Sequence, residues 1–91
     1  MGKIVRRVTA GTLESSDVFV TLEPCDSGLE IDIDSVVQKQ FGEAIRKVAE
    51  ETLSELDVYE GRLSIVDRGA LDCVIRARVE TAVLRGKGDS L

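Results

Sequence analysis

From Leu29 to Asp34 the chain reads "LEIDID", an apolar residue at every odd position and a carboxylate at every even one. That period of two suits a strand with one dry face and one wet face, and it gives the sheet a solvent-facing acidic surface. Immediately afterwards the period changes. Val37, Phe41, Ala44, Ile45, Val48, Thr52 and Leu56 fall on one helical stripe, Ser35 and Gln38 stand in capping-box relation, and Glu43 lies four residues ahead of Lys47. A half-dry strand and a one-striped helix can each bury their apolar face by stacking, so a layered α/β arrangement follows.

The remaining elements extend this pattern. Ile4, Val5 and Val8 suggest a first strand between Lys3 and Ala10, and Val18, Val20 and Leu22 a second that Pro24 stops. Leu63 and Ile65 mark a fourth strand ended by "DRG", and Leu71, Val74, Ile75, Val79, Ala82 and Val83 restore the helical period. The order is therefore β-β-β-α-β-α, an α+β chain. The expected architecture is a two-layer α/β sandwich: a mainly antiparallel four-stranded sheet with both helices on one face. The third strand, the long helix and the fourth strand leave room for a right-handed crossover. One domain over residues 1–85 and a flexible C-terminal tail over 86–91, "GKGDSL", complete the organisation.

Composition narrows the function. Hydrophobic residues make up 43% and charged residues 32% of the 91, so the chain has the makings of a core, but only 3% are aromatic. The core must be built from Val, Ile, Leu and Ala. Seventeen acids against twelve bases, a formal charge of -5, oppose approach to a polyphosphate, and base-stacking platforms are lacking, so no nucleic-acid partner is expected. No apolar run approaches the roughly 18 residues of a membrane span. The basic start "MGKIVRRV" leads into no signal-peptide core, and Arg6 occupies the position where an acylation signal needs Ser or Thr. A cytoplasmic protein is the expectation.

The chain has no histidine, so the usual Ser and Cys triads and the common zinc sites are unavailable, and no Gly-rich phosphate loop is present. No metal site and no catalytic residue are expected. Cys25 and Cys73 are far apart and read as two reduced thiols. Arg76 and Arg78 read as helix-surface charges paired with Asp72 and Glu80. The terminal "DSL" matches a tripeptide of helical acyl carriers, but no helix follows it.

That leaves "AGTLESSDVFV", residues 10–20, with Ser15 and Ser16 set between Glu14 and Asp17. A loop held between two strands is an exposed place to fasten something, and it is also an ordinary place for a polar turn. From the residues alone both readings stand.

Three segments add a resemblance. "AGTLESSD" at 10–17, "IDSVVQKQFGEAIR" at 33–46 and "RGALDCVIRARVE" at 68–80 are similar to the acyl carrier (gamma) subunit of citrate lyase, in the family's order and across almost the whole chain. The ending "GKGDSL" stands where the family has a longer tail. The resemblance implies a non-catalytic carrier subunit of an enzyme complex, with Ser15 bearing phosphoribosyl dephospho-coenzyme A through a phosphodiester. It implies that the arm's thiol holds acetyl and citryl thioesters while citrate is cleaved to acetate and oxaloacetate. The implied partners are the alpha (acyl transferase) and beta (citryl lyase) subunits and a loading transferase, the holo-carrier synthase. Ser15 has no base of its own, so the transferase would have to take its proton. A rival reading is a small interaction or effector-binding module whose serines are plain turn residues; an autonomous hydrolase using Ser15 lacks that base.

Overall fold

The structure, a computed structural model, describes residues 3–36 and 38–87, with the side chains of 38–41 outside that description. Its elements are β1 (Val8–Gly11), β2 (Val18–Glu23), β3 (Leu29–Ser35), α1 (Gln38–Glu55), β4 (Gly61–Asp67) and α2 (Asp72–Gly86). The order β-β-β-α-β-α is the expected one.

The four strands lie side by side as β1-β2-β4-β3. β1 pairs with β2 and β2 with β4 antiparallel, and β3 pairs with β4 parallel. The parallel junction arises because α1 carries the chain from the end of β3 back to the level where β3 began, which a tight hairpin cannot do. β4 is thus inserted between β2 and β3.

Alternation sorts the sheet into two faces. Val18, Val20 and Leu22 of β2 and Leu63 and Ile65 of β4 are fully buried, in register as Val20↔Ile65 and Leu22↔Leu63. Ile45, Ala49 and Leu53 of α1 and Ile75, Val79, Ala82 and Val83 of α2 join them in one core cluster, with Ile31 and Ile33 of edge strand β3 packed partly buried against it. Burying each such aliphatic side chain contributes about 1.5–3 kcal/mol, which is how a core with almost no aromatics can hold. Thr52, on the same stripe, is also buried, and its hydroxyl donates to the Val48 carbonyl one turn back (2.7 Å). On the open face the acids are partly offset: Arg62 of β4 lies 3.0 Å from Glu30 of β3 and 3.9 Å from Glu23 of β2.

The N-terminal strand is shorter than its sequence suggests. Lys3 and Ile4 form isolated bridges to Glu60 and Lys87, and only Val8–Gly11 joins the sheet. Ile4 is claimed instead by the end of α2, where the Val5 N–H donates to the Gly86 carbonyl (2.8 Å) and a Cβ at Gly86 would sit 3.3 Å from Ile4. α2 runs through Gly86, and tail residues 88–91 lie outside the described ones. The Gln38 half of the expected capping box falls outside the described side chains as well. Among the described residues, no helix is long and apolar enough to cross a membrane.

Candidate functional site

One end of the sandwich gathers three connections: the β1–β2 loop bearing the serines, the turn from β3 into α1, and the β4–α2 loop. Asp67, 1% exposed, ties two of them together. Its carboxyl accepts from the Ser35 hydroxyl (2.8 Å) and the Ala70 N–H (2.9 Å), and its backbone carbonyl accepts from the Val36 N–H (3.3 Å). "DRG" is therefore more than a strand end.

The serine loop is laced to the same region. The Ser16 N–H donates to the Arg68 carbonyl (2.8 Å) and the Arg68 N–H to the Asp17 carbonyl (2.9 Å). Inside the loop, the Thr12 N–H reaches the Val18 carbonyl (3.2 Å) and the Asp17 N–H reaches the Glu14 carbonyl (3.1 Å). Ser16 adopts the left-handed conformation, φ +66°, which turns the chain back towards β2. Ser15 is exposed, and among the described residues its hydroxyl has no hydrogen-bond partner.

Asp17 organises the loop. Its Oδ2 accepts from the Thr12 hydroxyl (2.6 Å) and its Oδ1 from the Val18 N–H (2.7 Å). Arg78, from the middle of α2, donates through Nε to Oδ1 (3.2 Å) and through Nη2 to Oδ2 (2.9 Å). This two-pronged contact corrects the expected pairing of Arg78 with Glu80 or Asp72. Arg76 behaves differently, bonding Glu55 of α1 and lying 3.4 Å from Glu80. A pair 61 residues apart leaves no local signal, whereas Asp72 and Glu80 were only the acids nearest in sequence to Arg78.

The Arg78 guanidinium, followed by the Thr12 hydroxyl and the Val18 N–H, holds the Asp17 carboxyl down at about 2, from an ordinary 3.8. Because the folded value lies below the free one, the ionised carboxylate favours the native loop at every pH above about 3.8, and that contribution is lost as the pH falls towards 2. We expect a carboxyl-carbon NMR titration to place the Asp17 midpoint near 2, with faster amide exchange at Val18 as it protonates. A midpoint at the ordinary value would mean the contact with Arg78 does not form in solution.

The same pairing bears on what Asp17 can do chemically. A carboxylate so acidic, with both oxygens engaged, is a poor acceptor for the Ser15 proton. Among the described residues, no hydrogen bond joins the Ser15 hydroxyl to a carboxylate.

Beside it, between α1 and the start of α2, lies a groove of about 640 Å³ with Ala44, Ile45, Ala70, Leu71, Cys73 and Ile75 along its walls and Asp67 in its lining. Leu71, 71% exposed, contributes to that lining, and Leu13 of the serine loop and Val36 are exposed too. Cys73 is exposed and Cys25 partly buried, and both thiols are free. Among the described residues, no group of three or more His, Cys, Asp or Glu is placed to hold a metal ion.

Comparison with known proteins gives a consistent picture. Residues 5–86 match the profile of the family described as acyl carrier protein, malonate decarboxylase delta subunit (MdcD). The citrate lyase acyl carrier protein of Cronobacter sakazakii is 58% identical over 83 residues, covering 91% of this chain and 86% of that one. Its counterpart in Albidiferax ferrireducens is 52% identical over 88 residues, covering 96% and 90%. A chain in the crystal structure of a Pseudomonas malonate decarboxylase hetero-tetramer in complex with malonate superimposes with a TM-score of 0.78 at 26% identity, covering 92% of this chain and 84% of that one.

Proposed function

The chain belongs to the citrate lyase acyl carrier protein family, and from that premise we propose that it is the carrier subunit of a cytoplasmic citrate lyase, modified on Ser15. The observation that carries this reading is the state of Ser15: exposed, without a partner among the described residues, and held up by a loop that the Ser16 N–H and Asp17 tie to Arg68 and Arg78.

The group to be attached is phosphoribosyl dephospho-coenzyme A, and the residues present suit it. A phosphodiester needs a free alcohol with room around it and little negative charge pressed against it. Ser15 supplies the alcohol. Arg78 offsets Asp17, which leaves Glu14 as the remaining acid in the loop. When bound, the group supplies a thiol on a long tether, on which an acyl group is carried in activated form while citrate is cleaved to acetate and oxaloacetate.

The chain's own part is placement. Ser15 fixes where the tether starts, the strands on either side fix the loop, and the proton of its hydroxyl passes to a base of the loading transferase rather than to Asp17. Tethering of this kind holds a carried group at an effective concentration on the order of millimolar near its next site. The carrier itself is non-catalytic, and it works with the alpha and beta subunits that perform transfer and cleavage. The exposed Leu13, Val36 and Leu71 give those partners apolar contact near the attachment point.

Intact mass after incubation with the loading transferase and its donor tests the reading. We expect the gain of one cofactor mass, and citrate cleavage by the alpha and beta subunits only with the loaded form. No gain under conditions that load a known citrate lyase carrier would favour a plain interaction module.

A further inference from the structure

We infer that Arg78, outside the attachment loop and 61 residues from Asp17, is a positioning residue for the modification of Ser15. The inference rests on the assignment of Ser15 as the attachment point. Arg78 meets both ends of the loop. Its fork holds Asp17 at the far end, and at the near end its stem runs past Gly11, where an added Cβ would lie 3.3 Å from Arg78 Cδ.

From Asp17 the contacts continue inward. Asp17 Oδ2 accepts from the Thr12 hydroxyl, and Thr12 Oγ1 in turn accepts from the Glu14 N–H (3.2 Å). Thr12, Glu14 and Asp17 are thereby fixed on both sides of Ser15, and the Ser16 N–H is fixed by Arg68. Ser15 and its neighbours Glu14 and Ser16 are exposed on the loop so held, and the Ser15 hydroxyl has no hydrogen-bond partner among the described residues. Without Arg78, Asp17 keeps its charge but loses its largest partner, and the loop regains freedom that the transferase must then remove.

During loading the Ser15 Oγ forms a bond to the donor's phosphorus, the donor's bond to its phosphate leaving group breaks, and the hydroxyl proton passes to a transferase base. Arg78 touches none of these atoms. Its effect is on where Oγ stands, and a misplacement on the order of 1 Å is enough to slow such a step severely.

The experiment measures kcat and KM for loading of the full chain by the transferase, alongside amide exchange at Ser16. Arg78→Ala should lower kcat roughly tenfold or more with KM within about twofold, and should speed Ser16 exchange while Val20 and Ile65 stay protected. Arg78→Lys keeps the charge but not the fork and should recover only part of kcat. Arg76→Ala, on the same helix but bonded away from the loop, should load like the wild type. Where Arg78→Ala folds poorly, Asp17→Asn and Arg78→Lys give the same reading.

Loading of Arg78→Ala at a wild-type kcat overturns the inference. So does a loss confined to KM, full rescue by Lys, or an equal loss in Arg76→Ala. Wild-type loading on a residue other than Ser15 removes the attachment assignment and this inference with it; wild-type loading on Ser15 with Arg78→Ala unimpaired removes the inference alone.

Discussion

Ser15→Ala should abolish loading altogether while leaving the fold intact. The change removes one oxygen from an exposed residue whose hydroxyl bonds nothing among the described residues, so stability should move by no more than about 0.5 kcal/mol. The chemistry has no substitute. Asp17 is occupied by Arg78 and Thr12, and Ser16 holds a left-handed backbone, φ +66°, tied through its N–H to Arg68. Ser16→Ala should therefore load within a few-fold of the wild type, because the part of Ser16 that the loop uses is its N–H, bonded to Arg68. Transferase assays read by intact mass check both variants in parallel, with thermal melts to show that each is folded. Loading of Ser15→Ala at a wild-type rate, or loss of loading in folded Ser16→Ala alone, would exchange the roles of the two serines.

Gly11→Ala should give the largest loss of stability of any change near the site. Gly11 ends β1 at φ +91°, a conformation that L side chains rarely adopt. An added Cβ would lie 1.8 Å from the Val18 carbonyl oxygen, so backbone must move, and the Gly11↔Phe19 pairing moves with it. A cost of about 3 kcal/mol is expected from strain and clash together. For a domain of this size that corresponds to a fall in Tm on the order of 15 °C, measured by circular dichroism. The same shift displaces the Arg78 stem and loosens the loop, so loading should slow as well. A variant that melts within about 2 °C of the wild type would show that the hairpin reaches the loop by another path.

Much of this architecture is legible in the amino-acid sequence, and the reason is local. "LEIDID" and "VFVTLE" alternate because each strand turns one face to the core, and Ile75, Val79 and Val83 recur because α2 packs on one side; on α1 the stripe read through Ala44, Ile45, Val48, Thr52 and Leu56 is rotated, with Ala49 and Leu53 buried and Ala44 exposed. Periodicity reports burial, and burial here is simple. It does not report neighbours. The insertion of β4 between β2 and β3, the capture of Ile4 by the end of α2, and the burial of Asp67 under two loops depend on contacts between distant segments.

The site divides along the same line. Ser15 stood out through its place between acids and through a resemblance that spans the chain. Arg78 did not, because Asp72 and Glu80 offered nearer partners and nothing in "VIRARVE" points to Asp17. Gly11 was the available hint: a glycine just before the serine loop marks the backbone position that the hairpin needs. Its second consequence, the passage of the Arg78 stem, needs coordinates to be seen.

We propose that the Ser15 oxygen is the point at which the carrier arm is joined. Fragment-ion mass mapping of the loaded chain, after digestion to a peptide spanning residues 8–46, tests it most directly. We expect one cofactor mass that travels with Ser15 and is absent from fragments ending at Glu14 or beginning at Ser16. An adduct on Ser16, Cys25 or any other residue would contradict it.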